Sequence, residues 1–230
     1  QAAINAAVAG LPLVVVLSLY RDTPWVLVTT KDISKPQDLA GKKIAISDIR
    51  SSPYYFARAG LKKLGLDEKQ VSLVTTGGTS NSFATLATNQ VAAAVLSPPF
   101  DDKAVSSGYK KFLFLGDLAD IPYVGLFTSQ TELRTSRDRI RKTISAVLDA
   151  VAWQRANRAE TIRMIAARFK ISANEAEHSY ETIIAILSAD GAMDLKKVRG
   201  YLTLLREERP IPDSLDAEKL VDFSMLPSAR

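Results

Sequence analysis

Between residues 43 and 116 short apolar runs alternate with helical patterns, and that rhythm constrains the chain more than any other feature. Lys43-Ile-Ala-Ile-Ser47 precedes an apolar-periodic run over 53–64, with Ser52 placed as N-cap, Pro53 at N1 and Gly65 at the C-terminal stop. Residues 71–76 lead through Gly77-Gly78 into a helix over 81–88. Residues 91–96 lead through Ser97-Pro98-Pro99 into a helix over 100–107, and 111–116 close the set. Parallel strands need a long crossover, usually a helix, so four strands and three helices at this spacing predict a parallel α/β sheet.

The flanks read differently. Residues 11–19 are an apolar run rich in β-branched residues, predicted as a strand buried on both faces. Tyr20-Arg21-Asp22-Thr23-Pro24 is a polar break, 25–30 a second strand, and 124–128 one more. Beyond it a helix over 136–156, capped by Thr135 or Ser136, carries the stripe Ile140, Ile144, Val147, Leu148 and Val151. Helices over 158–169 and 173–187 start behind the capping boxes Asn157-x-x-Glu160 and Ser172-x-x-Glu175. Helices over 195–207 and 215–223 follow, separated by Pro210-Ile-Pro212. Residues 2–10 read as the tail of a helix ending at a glycine, so a native start upstream of Gln1 is expected.

Composition excludes several kinds of chemistry. There is no cysteine, which removes disulfides, thiolate zinc sites and Cys nucleophiles together. Lys and Arg number 30 against 25 Asp and Glu. The densest basic stretch, Arg134, Arg137, Arg139, Arg141 and Lys142, is broken by Asp138 and lacks aromatic residues to stack on bases, so it reads as a solvated helix face and no nucleic-acid partner is expected. No run approaches the roughly 18 apolar residues of a membrane span. The only histidine, His178, falls inside the 173–187 helix, no acidic or histidine cluster has metal-ligand spacing, and no nucleophile elbow, P-loop or dinucleotide fingerprint is present. No catalytic residue, metal or cofactor is expected.

In an open α/β sheet ligands bind beyond the carboxyl ends of the strands. Loops 47–52, 77–81 and 97–99 all end there and carry hydroxyl or glycine residues: Ser51, Ser52, Gly78, Thr79, Ser80, Asn81 and Ser97. One of Ser51 and Ser52 caps its helix and the other is spare, and Thr79 or Ser80 caps the next. Tyr54 or Tyr55 faces the cleft while the other packs, and Arg50 reads as simply exposed. Tyr20, Arg21 and Thr23 follow the 11–19 strand toward the same cleft. Tyr123 is an aromatic wall or a hinge-packing residue, and Trp25 belongs to the core.

The stretch Lys31-Asp-Ile-Ser-Lys-Pro-Gln-Asp-Leu-Ala-Gly-Lys-Lys-Ile-Ala-Ile-Ser47, followed by Ser51-Ser52-Pro53, resembles the periplasmic binding proteins of ABC importers, in the branch that receives sulfonates, nitrate and thiamine precursors. The resemblance implies the two-lobed type 2 periplasmic-binding-protein fold, with 31–124 as an inserted α/β lobe and 1–30 with 125–230 as the other. That lobe would lack N-terminal βα units of on the order of 60 residues. The crossovers 29–33 and 122–128 would be the only links between lobes. The resemblance further implies capture of a small organic anion or nitrogen heterocycle, delivery to an ABC permease, and a periplasmic or cell-surface-attached location. The incomplete lobe would favour self-association. One departure is that the family's Gly-x-x-Asp-Ala-Ala reads Asn89-Gln90-Val91-Ala92-Ala93-Ala94 here. Two other readings share the fold: an effector-sensing domain of a transcription regulator, and an enzyme similar to the fungal thiamine-pyrimidine synthases. The latter rely on a cysteine-rich motif and a reactive histidine, which this sequence does not supply.

Overall fold

Residues 1–212 and 215–227 are described by the computed structural model. In chain order the elements are α1 (Ala2–Val8), β1 (Leu13–Ser18), β2 (Val26–Thr29), β3 (Lys43–Ile46), α2 (Ser52–Lys63), β4 (Ser72–Thr75), α3 (Thr79–Ala87), β5 (Ala93–Leu96), α4 (Phe100–Ser106), β6 (Lys110–Phe114) and β7 (Gly125–Ser129). Five helices follow: α5 (Gln130–Thr135), α6 (Arg137–Ala156), α7 (Arg158–Phe169), α8 (Ala173–Ile186) and α9 (Leu195–Glu208). They group into two units. The first holds Gln1–Thr23, Asp120–Arg158 and Ile186–Arg230, and the second holds Pro24–Ala119 and Ala159–Ala185.

The second unit is built on a five-stranded sheet in the order β4-β3-β5-β2-β6. β3 runs parallel to β4 and β5, while β2 is antiparallel to both β5 and β6. The four strands of the alternating stretch therefore share one direction, and β2 is inserted against them. All four β2 residues are buried. The resemblance implied that 1–30, and with it β2, belong to the other lobe; an apolar strand buried on both faces does not itself say which sheet it joins. Val26, Val28, Ala45, Leu86, Ala94, Leu96 and Ala104 form the core beneath α3 and α4. Phe83, Phe100 and Tyr109 pack onto it.

Helices α7 and α8 also belong to the second unit, although the chain on either side of them belongs to the first. The chain thus passes between units at 23/24, 119/120, 158/159 and 185/186, four times where two crossovers were expected. The Ser172 capping box at the start of α8 forms as predicted, with Ser172 N–H donating to Glu175 Oε2 at 2.8 Å and Glu175 N–H to Ser172 Oγ at 3.2 Å.

In the first unit β1 and β7 pair antiparallel, with an irregularity between Val15 and Leu17. The predicted stripe of α6 lands on this pair. Ile140 and Ile144 join Val14, Val16, Leu17, Leu133 and Met225 in the core, with Val147 and Leu148 against it. α9 buries Val198, Tyr201, Leu202 and Leu205, and Tyr201 donates to Asn5 Oδ1 at 3.0 Å. The helix expected over 215–223 is reduced to a 3-10 turn at Glu218–Leu220. There the chain runs beside β1, bridging Val15 to Val221, with Asp222 N–H donating to Val15 O at 2.8 Å. Tertiary pairing overrides a weak helical pattern.

Candidate functional site

Parallel neighbours end together, so the register of β4, β3 and β5 brings loops 47–51, 76–78 and 97–99 to one edge of the second unit's sheet. The first two loops are bonded to each other: Thr76 N–H donates to Ile46 O at 3.0 Å and Gly77 N–H to Ser47 O at 2.8 Å. Gly77 takes a left-handed conformation (φ 81°), the one position in this loop that needs glycine.

The helix starts differ from expectation by one or two residues, and the difference matters chemically. Ser51, not Ser52, is the N-cap of α2, and Pro53 sits at N2. The Ser51 hydroxyl is turned to Asp48 O and to Ser47 Oγ at 3.1 Å, so it does not cap α2. Ser52 is buried and its Oγ accepts the indole N–H of Trp25 at 3.1 Å, making it a core contact. Tyr54 N–H and Tyr55 N–H both reach Ser51 O. With no N–H on Pro53, the α2 start has little donor capacity left beyond Ser52 N–H. Tyr55 is buried, whereas Tyr54 is half-buried, with its ring 5.2 Å from that of Tyr55 and the Arg58 guanidinium 5.4 Å above it.

At α3 the N-cap is Gly78 in extended backbone, with no side-chain cap, so Thr79 and Ser80 lie in the first turn and do not cap the helix. The first intrahelical bond is Ser82 N–H to Gly78 O at 2.9 Å. The N–H groups of Thr79, Ser80 and Asn81 precede it and have no carbonyl within the helix. Ser80 and Asn81 are exposed and Thr79 is half-buried. Asn81 Nδ2 donates back to Thr76 O at 2.8 Å, which stiffens the turn. Thr76 and Ser82 were missed by sequence reasoning. The Thr76 hydroxyl lies 3.0 Å from Ile46 O, 3.2 Å from Gly78 O and 2.7 Å from Ser82 Oγ, so it ties the ends of β3 and β4 to α3. Two hydroxyls six residues apart across a glycine turn carried the signal.

The third loop has the opposite electrostatic character. Ser97 is buried, and α4 opens with Asp101 and Asp102, both buried, facing Lys111 Nζ at 2.8 Å each. Burial, and then the neighbouring charge of Asp102, push the Asp101 carboxyl above its ordinary range, and one of its oxygens has no partner. Burial works against the Lys111 ammonium, but the two carboxylates together outweigh it and raise its pKa. An anion at this edge therefore meets its favourable field at α3 rather than α4.

The remaining candidates belong to the first unit. Tyr20 is half-buried with its ring 5.1 Å from that of Tyr123, and burial raises its phenol. Its segment is pinned on both sides: Leu19 N–H donates to Val124 O, Ser188 N–H to Leu19 O and Arg21 N–H to Ile186 O. Arg21 is exposed, and Thr23 is buried. His178 is exposed on α8, and Trp25 lies in the core. Among the described residues no group of three His, Asp or Glu side chains is placed to hold a metal ion. No helix among them is long and apolar enough to cross a membrane.

The architecture is shared with solved proteins. The alkanesulfonate-binding protein SsuA from Xanthomonas axonopodis pv. citri, solved with MOPS, matches 95% of this chain and 76% of its own at 18% identity and a TM-score of 0.76. A Candida albicans protein, reported to have the generic periplasmic binding protein fold, matches 100% and 79% at 18% identity and a TM-score of 0.72. The desulfurization enzyme DSZB matches 93% and 78% at 12% identity and a TM-score of 0.64. The chain thus has the type 2 periplasmic-binding-protein fold and spans about three quarters of these relatives. The sequence model of the NMT1/THI5-like family matches residues 1–161, and the chain belongs to that family. No curated protein matches the sequence.

Proposed function

We propose that the protein is an extracytoplasmic solute-binding receptor that takes up a small organic anion at the loop edge of its second unit and delivers it to an ABC-type permease. The observation that carries this reading is the start of α3: three successive N–H groups, no side-chain cap, and the Thr79 and Ser80 hydroxyls beside them. An enzyme reading has a neighbour in DSZB. The binding reading is favoured because the chain offers no cysteine, and its one histidine lies on the exposed side of α8.

Calorimetry with ethanesulfonate, nitrate and benzoate tests the proposal. At least one should bind, and Thr79→Ala with Ser80→Ala should weaken it by about 1–3 kcal/mol, the cost of leaving a buried partner unpaired. Neither hydroxyl caps α3, so the double variant should keep its stability within about 0.5 kcal/mol. Unchanged affinity in the folded double variant removes this loop from the site.

A further inference from the structure

We propose that Asp102, Lys111 and Ser179 form a latch that fastens the α7–α8 hairpin to α4, and that through α4 the latch also holds loop 97–99. Resting on the receptor reading, occupation of the sheet edge that loop 97–99 shares with the start of α3 and docking of the hairpin are then coupled.

The hairpin buries few side chains, and Glu175 at the start of α8 also pairs with Ser106 of α4. The hairpin's buried residues are Thr161 in α7 and Ala176, Ser179 and Tyr180 in α8, while Met164 and Phe169 remain largely exposed. Phe169 meets Phe100 edge-on at 6.2 Å. The Ser179 hydroxyl lies 3.2 Å from Asp102 Oδ2 and 2.8 Å from Glu175 O; its one proton serves one of them at a time, and when given to Asp102 it joins α8 to the first turn of α4. Asp102 Oδ1 accepts from Lys111 Nζ at 2.8 Å, which ties the same turn to β6. The node is short of donors. One ammonium serves two carboxylates, and Asp101 Oδ1 has no donor. Segments with few buried contacts open first, and a single such bond weighs most there.

The link to the loop is direct. Phe100 N–H and Asp101 N–H donate to Ser97 O at 2.9 and 3.4 Å, and Lys103 N–H donates to Pro99 O at 3.0 Å. The α4 turn that takes Lys111 and Ser179 is the turn that closes over Ser97. If the docked hairpin favours one geometry of that turn, a ligand selecting that geometry must in return favour the docked hairpin.

Hydrogen exchange read by mass spectrometry on the whole chain tests both statements. Without ligand, Ser179→Ala should speed exchange in peptides from 159–186 by roughly 2- to 12-fold, the factor of one net hydrogen bond, with β3 and β5 unchanged. Lys111→Met should do at least as much, and Lys111→Arg should restore most of the protection. In Ser179→Ala, unchanged exchange in 159–186, or an equal rise throughout the second unit, overturns the latch. Adding whichever of ethanesulfonate, nitrate or benzoate binds should slow exchange in 159–186 in the native chain and less so in Ser179→Ala. A bound probe with no effect there overturns the coupling. If none of the three binds, the receptor reading fails while the variants still decide the latch.

Discussion

Asp101→Asn removes one of the two carboxylates that share Lys111, and its effect on stability follows from burial and charge. Asp101 is 1% exposed, with one oxygen unpartnered. Its ionised form bears the cost of desolvation first and the repulsion of Asp102 second, only partly offset by Lys111. A carboxyl whose folded pKa lies above its unfolded value binds its proton more tightly when folded. Its contribution to stability is full below the ordinary carboxylate pKa and is lost as pH rises through the raised value. At neutral pH the native protein therefore carries a cost that the amide does not. Against this, the variant gives up an ion pair to a lysine that is 40% exposed, a loss of about 1 kcal/mol or less once solvent screening is allowed for. Lys111 keeps Asp102 at 2.8 Å. Asp101→Asn is expected to be as stable as the native chain at pH 7 or more stable, each 1 kcal/mol of gain appearing as about 2–4 °C for a chain of this length. The advantage should shrink as pH falls toward 4, because the raised carboxyl takes up its proton more readily in the folded chain. Thermal unfolding followed by circular dichroism between pH 4 and 7 measures it. A variant more than about 1 kcal/mol weaker at pH 7, or one whose relative stability improves on acidification, would refute the argument.

Two glycines separate tight backbone approach from loose side-chain contact. A Cβ on Gly200 meets Asp120 O at 2.5 Å, whereas one on Gly60 meets the Leu115 Cδ2 methyl at 2.6 Å. Each helix gains about 1 kcal/mol from alanine, but only the methyl yields, so Gly200→Ala should cost about 1–3 kcal/mol and Gly60→Ala stay near zero in urea unfolding. Phe127 on β7 and Leu11 are 53% and 56% exposed in the first unit. If that face joins two copies, sedimentation velocity should show a mass that rises with concentration and does not rise in Phe127→Lys; a single species in the native chain would refute it.

Much of the local structure was legible in the sequence because it is decided within a few residues. The alternation over 43–116 specified four co-directed strands and three helices, the Ser172–Glu175 box started α8, and the Ile140–Ile144 stripe turned α6 to its core. The loops that carry the candidate site were legible for the same reason, since each follows a strand. Their detailed chemistry was not. Neither serine hydroxyl caps α2, and Ser52 is taken instead as the acceptor of Trp25, 27 residues away. The membership of β2, the docking of α7–α8 on the second unit and the unwinding of 215–223 beside β1 were likewise decided by tertiary structure. Apolar burial is non-directional, so many apolar partners would satisfy these segments almost equally well. Only the backbone pairing and close packing of the complete chain single one out.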